Sequence, residues 1–153
     1  MSSSRELTLV RVFDVPVNTV FRYWTDPKLM AKWFGPKGFT IPVCKLTVKV
    51  GGKIYIEMED TDGLILKGSR YPMTGSFQEI RENKKIVYAS QALLNGKPMI
   101  ESLATVAFEE VGGKTKMTLR VAVTKATLEA EKPLRGMETG WRQSFDKLAE
   151  NLG

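Results

Sequence analysis

Cys44, Glu57, Glu59, Asp60, Tyr71 and Tyr88 are the side chains of this 153-residue sequence whose chemistry could reach beyond packing. Cys44 is the single thiol. Between Val43 and Lys45 on a strand it becomes a nucleophile only if a cation lowers its pKa, and an inert strand cysteine is the simpler reading. Glu57, Glu59 and Asp60 gather three carboxylates at one strand end. Paired carboxylates can do acid–base work, but at a hairpin this spacing reads as a solvated turn. Tyr71 and Tyr88 could each offer a hydroxyl to a ligand, although a buried phenol ordinarily finds a backbone partner. Arg11, Arg120 and Arg142 could each anchor a carboxylate, although an exposed strand or helix arginine is ordinarily just solvated.

The missing residue types weigh as much. There is no histidine, which removes the commonest general base and metal ligand. One cysteine builds neither a zinc cluster nor a disulfide framework. The stretch VGGK at 50–53 lacks the glycine spacing and the following Ser or Thr of a phosphate loop. We therefore assign no catalytic residue, no metal and no cofactor from the sequence.

The net charge of +6 raises the question of nucleic acid. The lysines are scattered, however, with Lys84-Lys85 the one adjacent pair, and acidic residues are interspersed. A nucleic-acid face concentrates its charge, so the sequence points to a solvated basic surface. Apolar and charged fractions of 42% and 26% are ordinary for a globular protein. The length suits one domain over residues 1–153 with a real core. No apolar run approaches the ~20 residues of a membrane span, and MSSSREL lacks the apolar stretch of a secretory signal. A cytoplasmic protein is expected, a monomer or weak homodimer.

The elements that would position these residues follow from periodicity. RELTLVRVFDV at 5–15 reads as a strand. Pro16 opens a short helix in which Val17, Val20, Phe21 and Trp24 share one face. Asp26 is a plausible N-cap, with Pro27 starting a second short helix that carries Leu29, Met30, Trp33 and Phe34 and stops at Gly35-Pro36. Strands are expected over 39–50 and 53–59, then over 64–80, 84–94, 99–110 and 114–124, separated by DG, NG and GG turns. Residues 125–133 read as a loop or loose helical turn. From Pro133 the spacing of Met137, Trp141, Phe145, Leu148 and Leu152 predicts a long amphipathic helix. A strongly twisted antiparallel sheet cannot cover its own concave face, and this helix is its natural cover, with the two short helices closing one end.

Several stretches, in order, resemble a known group: RVFDVP at 11–16, VFRYWTDPKLMAKWFGP at 20–36, VGGKIYIEM at 50–58, GSFQEIRENKKIVY at 75–88, TVAFEE at 105–110, GGKTKMTLRV at 112–121 and GWRQSFDKLAENL at 140–152. They resemble the START-like (SRPBCC) superfamily that includes the birch-pollen allergen. Within it they are similar to the small proteins related to activators of heat-shock protein 90 ATPase. The resemblance implies an α+β helix-grip fold: a curved antiparallel sheet around a long C-terminal helix, with two short helices between the first and second strands. It implies a cavity between sheet and helix in many members and no shared catalytic residue. Many relatives carry an acidic residue and an arginine where this chain has Thr47 and Lys49, so any role attached to that pair is not carried over.

Such a cavity would be walled by the inward rows. Trp33 and Phe34 would serve as wall and lid. The strands would contribute Ile56, Met58, Phe77, Tyr88, Phe108, Met117 and Leu119, and the long helix Met137, Trp141 and Phe145. The expected function is noncatalytic binding of a hydrophobic or amphipathic small molecule. A chaperone ATPase-activator-like interaction module is one alternative, with a chaperone as partner. A cyclase- or hydrolase-type enzyme using Tyr88 or Glu57 inside the cavity is the other.

Overall fold

A computed structural model of the chain describes residues 5–153; the first four residues of the MSSSREL start lie outside the described residues. Seven strands form one antiparallel sheet: β1 (Arg5–Phe13), β2 (Phe39–Leu46), β3 (Lys53–Asp60), β4 (Arg70–Arg81), β5 (Lys85–Leu94), β6 (Lys97–Val111) and β7 (Lys114–Ala126). Their spatial order is β1-β7-β6-β5-β4-β3-β2. The meander from β2 to β7 is thus closed by β1 lying beside β7, and β1 and β2 are the two edges. The sheet curls into a half-barrel. Register shifts at Thr40/Val43, Phe77/Glu79, Ala92/Leu93 and Glu101/Ser102 supply bends, because an extra residue on one strand kinks it and tightens its twist. Gly75 makes one close approach possible: a Cβ there would stand 2.3 Å from the Ala89 carbonyl oxygen.

Local chemistry explains the connections. Asn95-Gly96 and Gly112-Gly113 both carry positive φ values, 54° and 78° and then 57° and 81°, the backbone of tight hairpin turns that match strand twist. α1 (Val17–Thr25) buries Val20, Phe21 and Trp24. The Asp26 side chain accepts from the Lys28 N–H at 2.9 Å and Pro27 occupies the first position of α2 (Pro27–Met30). That helix is one turn long, so Trp33 and Phe34 follow it rather than ride on it. After β7 a 3₁₀ turn (Leu128–Ala130) and α3 (Glu131–Arg135) come first, and α4 (Met137–Leu152) starts only after Gly136. The helical signal from Pro133 is therefore two helices broken at a glycine. α4 lies against the inner face of the sheet, with Phe145 and Leu148 buried in the main core.

Two strand expectations are corrected. β2 ends at Leu46; residues 47–52 turn away, and Gly51 N–H and Gly52 C=O pair with Phe77 of β4. Residues 61–69 are a loop, and β4 starts at Arg70 rather than at 64. The cause is Asp60, which was expected in a solvated turn and is fully buried instead. Its carboxylate accepts from the backbone N–H groups of Leu64, Ile65 and Leu66 at 2.7–2.8 Å. Those donors are thereby withdrawn from any β ladder.

Removal from water pushes the Asp60 carboxyl up, and donation from Ile65, Leu64, Leu66 and Gly63 more than offsets this, leaving its pKa below the ordinary aspartate value. A depressed folded-state pKa contributes stability above the unfolded value near 4, and that contribution is lost as pH falls through the folded value. Asp60→Asn places an amide against three N–H donors. Thermal unfolding should show a lower midpoint for the variant at neutral pH, and its deficit relative to wild type should shrink as pH is taken down through the acid limb.

Candidate functional site

The interior between sheet and α4 is dominated by aromatic rings. Trp24 of α1 stands at its centre: Trp33 lies edge-on at 4.8 Å, Trp141 stacks at 6.3 Å, and Tyr88 and Phe145 each lie at 6.5 Å between ring centroids. Its indole Nε1–H donates to Met117 Sδ at 3.2 Å. Trp33 Nε1–H donates to the Tyr23 carbonyl at 3.0 Å. Phe34 meets Trp141 edge-on at 5.7 Å. Both buried indoles are therefore satisfied, as buried tryptophans usually are.

Among these residues sits a small cavity of about 10 Å³, lined by Trp24, Met30, Phe34, Leu46, Ile54, Ile56, Met73, Phe77, Ile86 and Tyr88. That volume is about one water. Of the twelve residues expected at a ligand wall, Phe34, Ile56, Phe77 and Tyr88 converge on it. Trp33, Met117, Leu119 and Phe145 are fully buried in the surrounding core. Phe108 packs edge-on against Phe21, Met58 lies beside Gly35, Trp141 is half-buried above the cluster, and Met137 bridges to the smaller apolar group under α3. Met30, Leu46, Ile54, Met73 and Ile86 line the cavity without having been singled out. For Ile54 the signal was available: it shares the inward row with Ile56.

Tyr88 is the one polar side chain at this cavity beyond the satisfied Trp24 indole. It is 5% exposed. Burial pushes its pKa up, and no buried side-chain nitrogen or oxygen among the described residues is left without a hydrogen-bond partner. A half-buried lysine, Lys147 of α4, points the other way and spans 3.4 Å to the carbonyls of Pro36 and Phe39; loss of hydration lowers its pKa, opposed by Glu150. A larger, open groove of about 490 Å³ crosses the outer face of the sheet, where Tyr55, Thr74, Gln91 and Glu101 line it. Ile54 is the one residue whose position is common to its lining and that of the interior cavity.

The family described as Activator of Hsp90 ATPase homolog 1-like protein matches residues 14–153. The chain belongs to this family. Within the Activator of Hsp90 ATPase homolog 1-like fold it is similar to the crystal structure of NE0264 from Nitrosomonas europaea, with 28% identity, a TM-score of 0.77, and 95% of this chain and 92% of that one covered. It is also similar in fold to CV1439 from Chromobacterium violaceum (24% identity, TM-score 0.78, 95% and 94% covered). A third likeness is the AHSA1 protein SPO3351 from Silicibacter pomeroyi (23%, 0.78, 97% of each chain). No curated protein matches the chain. Thr47 and Lys49 lie exposed in the 47–52 turn and do not line the interior cavity.

The remaining reactive side chains are engaged elsewhere. Arg11 pairs with Asp146 of α4, Arg120 with Glu6, and Arg142 with Glu138. Arg70 bridges Glu57 and Glu59. The Glu57 carboxyl is lowered by the Tyr55 hydroxyl and then by Arg70, so this group stays ionised on the outer face. Among the described residues no three acidic or cysteine side chains come together as metal ligands, and no helix is long and apolar enough to cross a membrane. Cys44 is half-buried; burial and then Asp26 push its thiol up to about 11. Iodoacetamide alkylation of Cys44 in the native protein should therefore be slow at neutral pH. Its rate should climb toward a midpoint near 11, and a fast reaction at neutral pH would restore it as a nucleophile.

Proposed function

We propose that the protein binds a hydrophobic or amphipathic small molecule in the interior between α4 and the sheet, with Tyr88 as the polar anchor. The observation that carries this reading is the Tyr88 phenol, the one hydroxyl at the wall of an otherwise apolar cavity. A hydrogen bond from this hydroxyl to a ligand oxygen or nitrogen is worth about 1 kcal/mol net. Apolar lining supplies affinity and a single polar group fixes orientation.

A volume of about 10 Å³ admits no such ligand unless side chains move. The movable wall is α2 with the residues after it. This segment contributes Met30 and Phe34 and is one helical turn, capped by Asp26 and tied to α1 by the Trp33 indole, with no bond to a strand ladder before Phe39 among the described residues. Displacing it enlarges the cavity without disturbing a strand. The ligand thus pays for opening from its own apolar burial, at about 25 cal/mol per Å².

The test is intrinsic fluorescence, since Trp24, Trp33 and Trp141 all belong to the cluster. Titration with fatty acids, sterols and aromatic polyketides should give a saturable change with at least one class. Tyr88→Phe should weaken that binding by about 1–2 kcal/mol, close to tenfold, while leaving the fold intact. Phe34→Ala should bind larger members of the same class. Absence of any saturable response, in wild type and Phe34→Ala alike, would remove the reading.

The family match supports a second reading, an interaction module that acts on a chaperone ATPase. Purified chaperone mixed with this chain would show ATPase stimulation that survives Tyr88→Phe. Under the first reading the ATPase rate does not change.

A further inference from the structure

The loop over residues 61–69 displays three consecutive large aliphatic side chains: Leu64, Ile65 and Leu66 are 65%, 69% and 68% exposed. Neighbouring residues point different ways along a chain, so three in succession at this exposure make a protruding tip. The tip is also fixed. The buried Asp60 carboxylate holds all three backbone N–H groups, the Gly68 N–H donates to the Asp60 carbonyl and the Ser69 N–H to Leu66. The Thr61 and Asp62 N–H groups bond to the Gly38 carbonyl, and Leu64 stands against Gly38. A buried carboxylate with three donors is an expensive device for presenting greasy side chains to water.

We propose that this tip inserts into the interfacial region of a lipid bilayer that carries anionic headgroups. A bilayer surrounds an inserted tip on every side and so accommodates side chains pointing in different directions. A protein groove covers one face, and protein interfaces concentrate Trp, Tyr and Arg rather than leucine; the tip has none of the three. Lys67 follows the tip directly and Lys37 precedes Gly38 against it, both exposed, in a chain of net charge +6. One acidic side chain, Asp62, lies in the same loop. Arg70 at the loop base is already paired with Glu57 and Glu59. Aliphatic side chains at the interface with lysines behind them bind anionic lipid by burial plus electrostatic attraction. Because Asp60 has already ordered the tip, little further ordering entropy is lost on insertion. The tip residues do not line the interior cavity, so this inference stands apart from the ligand reading.

Sedimentation with vesicles of phosphatidylcholine alone and of phosphatidylcholine with phosphatidylglycerol tests it. The wild type should pellet with the anionic vesicles at low ionic strength and less with the neutral ones. Leu64→Ser/Ile65→Ser/Leu66→Ser should weaken binding to anionic vesicles by about tenfold or more, since each aliphatic side chain withdrawn fully from water is worth roughly tenfold in partitioning. Lys37→Glu/Lys67→Glu should erase the preference for anionic lipid. If the triple variant does not fold, by circular dichroism, Ile65→Asp tests the same tip with one exposed change. The proposal is overturned if the wild type stays in the supernatant with both vesicles, or if the folded tip variant pellets as the wild type does. It is equally overturned if light scattering finds a wild-type dimer that the tip variant converts to monomer, which would assign the tip to a second copy of the chain.

Discussion

One side chain ties four separate parts of the interior together. Trp24 belongs to α1, yet its ring neighbours come from the segment after α2, from β5 and from α4, and its N–H reaches a thioether on β7. A curled sheet and a straight helix leave a wedge between them that no aliphatic residue spans. An indole spans it, and offset or edge-on rings add about 0.5–1.5 kcal/mol per pair beyond their area. The choice of Met117 as acceptor matters as well. A thioether satisfies the N–H without bringing a strongly hydrated oxygen into the core. The grip of sheet on helix, the seat of α2 and the shape of the remaining void all follow from where this ring sits.

The parts of this architecture visible in the sequence are those governed by local periodicity and turn chemistry. Ile54, Ile56 and Met58 alternate with polar residues, Asn95-Gly96 and Gly112-Gly113 mark hairpins, and Asp26-Pro27 marks a helix start; the observed backbone follows each. The run from Leu64 to Tyr71 misleads because its apolar residues look like strand. What decides its conformation is a carboxylate four to six residues earlier that takes three N–H groups out of circulation. Hydrophobic pattern carries no trace of such a capture; the aspartate and the following Asp62-Gly63 are its one local sign. The Arg11–Asp146 pair joins residues from opposite ends of the chain, and no spacing rule reaches that far.

The interior wall was legible as rows and not as a cavity. Alternation places Ile56, Phe77, Tyr88, Met117 and Leu119 on the inner face, but which of them border empty space depends on how the rings of α1, α2 and α4 interdigitate above them. Interiors pack to the density of organic crystals, so a residual void is a small difference between two large volumes. Here it comes to about 10 Å³. Its position under Met30 and Phe34 has more meaning than its size, because that is where the cover is a single helical turn and not a strand or the long helix.

Two polar groups stand in opposite surroundings in this protein, and the contrast bears on what the interior is for. Asp60 brings a charge into the structure and is given three backbone donors at 2.7–2.8 Å. Its carboxylate is thereby committed to shaping the 61–69 loop. Tyr88 brings a neutral phenol to the wall of an apolar cavity, where the lining side chains hold no other hydroxyl, amide or charge. Phenylalanine would present the same ring without the oxygen. What Tyr88 adds to that wall is one polar atom on an apolar surface, the arrangement in which a single group fixes a ligand's orientation while its surroundings supply affinity.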